Sequence, residues 1–498
     1  MTDLSVSAPE MPPVDMGHVD VLIVGAGISG IGTGYHLQTR CPDRSYAILE
    51  GRSAMGGTWD LFRYPGIRSD SDMHTLGFAF HPWTAAKSIA DGPAIRAYVE
   101  ETARTYGIDR KIRYGHHVTA ASWSTADAQW TVEATGPDGE TVVMTCNFLS
   151  MCAGYYDYAK GHAPDFPGAE TFAGRIVHPQ FWPDDLDHAG KRVVVIGSGA
   201  TAVTLVPSMA DTAAHVTMLQ RSPTYIVARP GEDRVANWLR DRLPGKLAYG
   251  LTRTKNIAMG MLFYRLARKR PERMKTRMIG MVREHLGDDY DIATHFTPRY
   301  NPWDQRVCLV PDGDLFAAIN AGKASIVTDT IERFTPEGIR LSSGKILPAD
   351  IIVTATGLEL QLLSGVAFGL DGRPIDMAGR LQYKGMMFDG VPNLSSTFGY
   401  TNASWTLKAD LTALYVCRLL NTMRKRGMRQ ATPVNDDPAM GSEPFLDFTS
   451  GYVERAAAIL PKQGARKPWR LNQNYALDLM ALKFGSVDDA MVFSNPAP

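Results

Sequence analysis

The stretch VDVLIVGAGISGIGTGYHLQTR, Val19 to Arg40, decides the fold. Its apolar run Val19 to Val24 reads as a strand, and Gly25-x-Gly27-x-x-Gly30 follows at once and opens a helix. Gly25 permits the tight turn, Gly27 lets the backbone approach a pyrophosphate, and Gly30 lets helix and strand pack closely. The helix N-terminus then offers unpaired N–H groups and the positive end of its dipole to phosphate. Alone this turn is a weak signal, and a glycine-rich turn without a ligand is its structural alternative. It is strengthened by SYAILE, Ser45 to Glu50, a second apolar strand ending in a carboxylate about 20 residues beyond the last glycine. Glu50 can accept hydrogen bonds from a ribose diol and repels a 2′-phosphate, so this turn suits FAD or NAD and disfavours NADP.

The unit recurs in KRVVVIGSGATAVTLVPSMADTAAHVTMLQRS, Lys191 to Ser222, with Gly197-x-Gly199-x-x-Ala202 between two apolar strands. Here the second strand runs into Gln220-Arg221-Ser222, with no acid. A guanidinium beside the ribose pairs with a 2′-phosphate in bidentate fashion and Ser222 adds a hydroxyl, so the second turn prefers NADPH. Two dinucleotide sites of opposite ribose chemistry imply hydride transfer from a nicotinamide to a flavin. The five cysteines, Cys41, Cys146, Cys152, Cys308 and Cys417, form no C-x-x-C or C-x4-C pair, so a disulfide reductase is excluded and oxygen is left as electron acceptor.

Composition agrees with small-molecule chemistry. The chain has 498 residues, 44% apolar and 21% charged, with a formal net charge of +0. That length predicts more than one core, and the neutral balance argues against nucleic acid as a partner. No metal-ligand spacing of Cys and His is present, and the scattered free thiols suit a reducing cytoplasm. The leader MTDLSVSAPEMPPVDMGH has no apolar centre and reads as a disordered tail, and no apolar run is long enough to span a bilayer.

Between the two turns, Phe172-x-Gly174-x-x-x-His178-x-x-x-Trp182-Pro183 resembles the fingerprint of the type I Baeyer-Villiger monooxygenases. GGTWDLFRYPGIRSD, Gly56 to Asp70, is similar to a second motif of that family, and DIIVTATG, Asp350 to Gly357, resembles the strand that returns the chain to its FAD domain. RYPGIRSDSD, YNPWDQRVCLVP and GYTNASWTLKAD look most like the ethionamide-activating branch. The resemblance implies FAD held by Gly25, Gly27, Gly30, Glu50, Thr58, Trp59 and Asp70, and NADPH held by Gly197, Gly199, Arg221 and Ser222. It implies insertion of one oxygen atom from O2 beside a ketone carbonyl through a C4a-peroxyflavin, giving an ester or lactone, with sulfoxidation, thioamides included, as a side activity. Arg306 would be the catalytic cation and Asp70 its partner. Gln305 departs from relatives that carry lysine there, which leaves Arg221 to discriminate against NADH. The alternative on the same scaffold is a flavin monooxygenase acting mainly on nitrogen or sulfur, and a non-catalytic flavoprotein is the rival of another class.

The residues of the fingerprint say less by themselves. His178 and Trp182, flanked by prolines, predict an ordered, non-helical linker at an interdomain seam; its role is purely structural or, as the resemblance implies, it transmits NADP binding to domain closure. TNASWTLKADLTALYVCRLLNTMRKRG predicts one helix with Ser404 as N-cap and Gly427 as stop, with Trp405 packing in the core or near the flavin ring.

The expected architecture is α/β, with two Rossmann-like domains. A discontinuous FAD domain covers 1–155 and 358–498, an inserted NADPH domain covers 156–230 and 301–357, and a helical insertion fills 231–300, broken at Pro244 and Pro271. Within the insertion, 251–280 holds nine Lys/Arg and one acid among apolar residues. It reads as a lid or core helix with a solvated basic face, or as a peripheral contact with an anionic membrane.

Overall fold

A computed structural model of the chain describes residues 12–305, 307–446 and 450–496. The elements that position the site are, in chain order, β1 (Val14–Val24), α1 (Ile28–Arg40), β2 (Tyr46–Glu50), β3 (Tyr156–Gly161), β4 (Arg175–Val177), β5 (Arg192–Ile196), α2 (Ala200–Ala210) and β6 (His215–Gln220). They continue with α3 (Arg234–Arg240), α4 (Gly245–Lys269), α5 (Pro271–Leu286), β7 (Leu358–Leu360) and α6 (Trp405–Arg426).

Two sheets organise them. The larger has nine strands, and β1 lies inside it, parallel to β2 on one side and to Thr141–Met151 on the other. The smaller has five parallel strands, in the order Ala324–Thr328, β6, β5, Ile351–Thr354, β4. These are the two Rossmann-like domains. Val21–Val24 of β1 and Val193–Ile196 of β5 are apolar and buried because both faces of each sheet are covered there. Ile23, Phe78, Phe148 and Tyr415 share one core with α1 and α6, while Trp123, Trp130 and Phe388 fill another. Val195, Leu205, Met218 and Phe316 form the core of the smaller sheet. Each such side chain contributes about 1.5–3 kcal/mol by burial.

The first glycine of each turn has the same task. Gly25, at φ +103°, lies so close to the end of strand Thr141–Met151 that a Cβ would stand 2.7 Å from the Cys152 carbonyl oxygen. Gly197, at φ +138°, would place one 2.3 Å from the carbonyl of Ala355, just past strand Ile351–Thr354, which pairs with β5. Each turn is thus wedged against the end of a strand that pairs with its own in the sheet.

The leader departs from expectation. Residues 1–11 lie outside the described residues, but from Val14 the chain is already in β1, where Val14 and Asp15 pair with Val142 and Val143 and His18 with Thr145. The register breaks between Asp15 and His18, where Gly17 takes φ +81°. The His18 ring adds contacts to Thr145 Oγ1 at 2.9 Å and Asn147 Oδ1 at 3.1 Å. This polar run gains its conformation from the neighbouring strand, a non-local cause without a local pattern.

Helix α6 spans Trp405–Arg426 and stops at Gly427, which adopts the left-handed conformation. Ser404 occupies the N-cap position, but its hydroxyl bonds Thr75 Oγ1 at 2.6 Å and caps no backbone N–H. In the helical stretch, Pro244 immediately precedes α4 and Pro271 opens α5, the place where its missing N–H costs nothing. Helix α5 buries Met274, Met278 and Val282 toward the smaller-sheet side. Helix α4 reaches the other way through Arg253. Nη1 of this buried guanidinium donates to the carbonyls of His74 at 2.8 Å and Gly77 at 2.7 Å, and Nη2 lies 3.5 Å from Asp410 of α6. Asp410 also faces His36 Nε2 of α1 at 3.3 Å.

Replacing Arg253 by Met strands a buried carboxylate, so Arg253→Met is expected to lose about 3–5 kcal/mol in denaturant unfolding. The double variant Arg253→Met/Asp410→Leu is expected to regain most of that loss.

Candidate active site

Both glycine turns open into one cleft of about 3450 Å³, lined by Gly25, Gly27, Glu50, Gly197, Gly199 and Arg221 among others. A pocket for one drug-sized ligand needs about 300–1,000 Å³, so this cleft has room for two dinucleotides and a substrate. At its floor, α1 starts from Gly27 and α2 from Gly199, and neither helix has a side-chain cap or an acidic residue in its first turn. A Cβ on Gly27 would meet Gly57 at 3.6 Å, and one on Gly199 would meet nothing within 4 Å. Bare backbone and two positive helix ends are what a pyrophosphate requires, so the residues present fit such groups.

Glu50 is buried at the end of β2. Its Oε2 accepts from Ala26 N at 2.7 Å and its Oε1 from Arg52 N at 2.9 Å, which leaves acceptor capacity on both oxygens. Burial pushes its carboxyl above the ordinary range, against the pull of those two N–H groups. Arg52, which also lines the cleft, is held by Asp60 at 2.5 Å, and Asp60 gathers Arg96 at 3.0 Å and Arg63 at 3.4 Å as well. On the second turn, Arg221 and Ser222 are exposed on the cleft wall. Gln220 beside them is structural, donating to His295 O at 2.8 Å and Thr328 Oγ1 at 2.9 Å.

The segment Gly56 to Asp70 joins the two domains. Trp59 packs against the cores of both sheets, and Leu61, Phe62, Tyr64 and Ile67 are buried in the smaller-sheet core although they belong to the first half of the chain. Tyr64 hydrogen-bonds Thr201 of α2, Arg68 pairs bidentately with Asp314, and Thr58 bonds Tyr158 of β3. Thr58, Trp59 and Asp70 all line the cleft, Asp70 from an exposed position. Arg306 lies outside the described residues; Gln305 and Val307 on either side of it line the cleft.

The fingerprint divides its work. Phe172 is buried against Val194, Ile196 and Phe334, a Cβ on Gly174 would stand 2.3 Å from Asp350 O, and Trp182 packs on the core of the smaller sheet. These three seat the segment on that domain. Its middle is not a linker, because Arg175–Val177 forms the sheet's edge strand β4, and Pro179–Phe181 makes a 3-10 turn. His178 instead faces the place where the chain crosses between domains. The crossing strands β3 and β7 pair antiparallel, Gly161 opposite Leu358 and Tyr156 opposite Leu360. His178 Nε2 donates to Gly357 O at 3.3 Å, Nδ1 accepts from Gln180 N at 3.2 Å, and the ring occupies the space a Cβ on Gly161 would need. Gln180 in turn donates to Asp157 O at 2.8 Å.

At the far wall, Trp405 Nε1 donates to Ser29 Oγ at 2.8 Å and its ring stacks on Tyr155 at 5.1 Å, both rings lining the cleft. The sequence reasoning did not single out Arg52, Tyr155 or Arg253 as cleft-lining residues. Arg52 has a signal in its position two residues after Glu50. Arg253 has none, because a buried arginine within a basic run looks like any solvated one.

Two dinucleotide turns of this form facing one cleft define a two-domain flavoprotein oxidoreductase fold. The comparisons narrow it. A flavin-binding monooxygenase-like family model matches residues 90–249, and an NAD(P)-binding Rossmann-like model matches 23–92. FAD-containing monooxygenase EthA of Mycobacterium tuberculosis is 56% identical over 97% of this chain and 99% of its own length, and that of Mycolicibacterium smegmatis is 55% identical over 95% and 96%. Among solved structures, oxidised steroid monooxygenase bound to NADP superposes with a TM-score of 0.74 at 22% identity over 96% of this chain and 100% of that one. OTEMO in complex with FAD and NADP superposes with 0.69 at 24% over 84% and 88%. The chain belongs to the FAD-containing monooxygenases.

Burial holds the His178 imidazole below its ordinary value of 6.5. Its neutral form is also the one that satisfies both partners, since a carbonyl only accepts and an amide N–H only donates. The unfolded chain therefore takes up this proton first as pH falls, and stability is lost from about pH 6.5 downward. His178→Gln is expected to flatten the fall in melting temperature between pH 7 and pH 5 relative to the unmodified protein.

Proposed function

We propose that the protein is a Baeyer-Villiger monooxygenase, binding FAD at the Glu50 turn and NADPH at the Arg221 turn. It inserts one oxygen atom from O2 beside a ketone carbonyl to give an ester or lactone, and it oxidises sulfur, thioamides included, in the same site. The observation that carries this reading is that Asp70 and both chain neighbours of Arg306 line the cleft into which the two glycine turns open. The bound flavin, reduced by NADPH, supplies the activation of oxygen. The chain supplies positions and charge.

In this reading Arg306 places a fixed positive charge where negative charge develops on the reacting oxygen, and it holds that charge at every working pH. Asp70 positions the guanidinium and acts as no base. Trp59 and the Trp405–Tyr155 stack keep water from the reacting atoms. The N-terminus of α6, next to Trp405, faces the cleft with its positive dipole end, which favours an anionic reduced cofactor. The FAD domain is assigned to 1–155 and 358–498, the NADPH domain to 156–230 and 301–357, and the helical insertion to 231–300. His178 passes cofactor-dependent movement of the NADPH domain to the crossing strands. Five free thiols fit a reducing cytoplasm.

Two experiments test the assignment. The purified, FAD-loaded protein is given one methyl ketone and one methyl sulfide with NADPH under isotopically heavy oxygen, and labelled ester is expected beside labelled sulfoxide. Labelled sulfoxide without ester moves the enzyme to the heteroatom class and removes the role given to Arg306. Arg221→Ala is expected to reduce the kcat/KM preference for NADPH over NADH roughly tenfold, about 1.4 kcal/mol. An unchanged ratio would remove the 2′-phosphate from Arg221.

A further inference from the structure

We propose that the outer face of α3 and α4 docks on an anionic lipid bilayer, with its leucines and tryptophan in the interface and its lysines and arginines among the headgroups. The apolar side chains there are exposed. Val235 and Trp238 on α3 are 50% and 53% exposed, and Leu247, Leu251 and Leu262 on α4 are 52%, 46% and 57% exposed. Leu247, Leu251, Ala258, Leu262 and Leu266 recur at helical spacing and form one stripe, about 28 Å long at 1.5 Å per residue. The opposite side of the same helix buries Tyr249, Thr252 and Arg253, so Leu247 and Leu251, which do not line the cleft, stand on the outer face of a helix already anchored on its inner one. Helices α3 and α4 are held side by side by the Lys255–Asp233 pair at 2.7 Å, which brings Trp238 beside the stripe.

Charge selects the occupant. Between Arg242 and Arg277 the chain carries eleven Lys/Arg and one acid, Glu272, although 52 basic and 52 acidic residues cancel over its whole length. Arg265 and Lys269 lie within the stripe itself, and both are exposed. The Arg242 guanidinium lies 4.8 Å over the Trp238 ring, which places a cation and an indole at one level, as a headgroup interface requires. A second copy of the chain would bring these cations against their own kind. A bilayer with anionic headgroups meets both halves of the pattern, hydrocarbon for the leucines and negative charge for the rim.

Among the described residues no helix is long and apolar enough to cross a membrane, so α4 lies on the surface. The expectation for 251–280 is thereby redrawn. Helix α5 turns its apolar residues inward, and the lipid-facing residues lie on α3 and α4. Tyr249, Arg253 and Ile257 of α4 line the cleft, and so do Ala258, Leu262, Arg265, Leu266 and Lys269 farther along the helix, so the stripe runs from the outer face at Leu247 and Leu251 to the edge of the cleft and one helix faces both the bilayer and the site. The proposal stands independently of which oxygenation the cleft performs.

The test is flotation of the FAD-loaded full chain with vesicles of phosphatidylcholine alone or mixed with phosphatidylglycerol. Binding is expected only to the anionic vesicles and is expected to weaken with salt. The variants Leu247→Ser/Leu251→Ser and Arg242→Glu, none of them at a residue lining the cleft, are each expected to weaken it at least tenfold while FAD content and melting temperature hold. Three outcomes would overturn the proposal. These are no flotation at low salt, equal flotation with neutral vesicles, or a concentration-dependent dimer that the leucine variants abolish without any vesicle binding.

Discussion

The antiparallel pairing of Tyr156–Gly161 with Leu358–Leu360 is the constraint on which the rest of the structure depends. One domain is inserted in the other, so the chain crosses between them twice, and the two crossings are hydrogen-bonded to each other. Thr356 Oγ1 donates to His162 O at 2.6 Å and His162 Nδ1 lies 2.7 Å from Glu359 Oε1, which fastens the ribbon at its inserted end. Any rotation of one domain about the other must twist this ribbon, and His178 lies against both of its strands. Another contact between domains is the loop Tyr64 to Arg68. Its packing is so close that a Cβ on Gly66 would stand 1.8 Å from Ser208 Oγ.

How much of this was legible in the chain depends on whether the cause is local. The two glycine turns, the apolar strands beside them and the limits of the helix Trp405–Arg426 are written in residue types that act within a few positions. The start of the first strand at Val14 was not legible, because its ladder is supplied by Val142 to Thr145. The hydroxyl of Ser404 looked like a cap and is used by Thr75 from a distant segment. In the site, the residues of both turns could be named in advance, since backbone approach to phosphate has a fixed spacing. That Leu61, Phe62, Tyr64 and Ile67 would leave the core of their own half and enter the other could not, since an apolar side chain does not say which core it joins.

The helical stretch behaves as a strap across the cleft. Arg253 ties one end of α4 to Asp410 and the carbonyls of His74 and Gly77, while Met274 and Met278 of α5 join a cluster with Tyr225 and Val227 beside the smaller sheet. A helix held at one end by each domain limits how far the cleft can open, and it makes the spacing of the domains depend on one buried ion pair.

All five cysteines are buried, and burial pushes the thiols of Cys146 and Cys152 up from their ordinary range. An oxygen-using flavoprotein releases hydrogen peroxide whenever a turnover misses its substrate, and peroxide attacks thiolates that solvent can reach. Kept away from solvent, all five sulfur atoms are poor targets, and Cys146 and Cys152 are held protonated as well. The chain is therefore built to survive its own failed turnovers, and its working lifetime in air should be set by its exposed methionines, Met259 and Met480 foremost, before any cysteine.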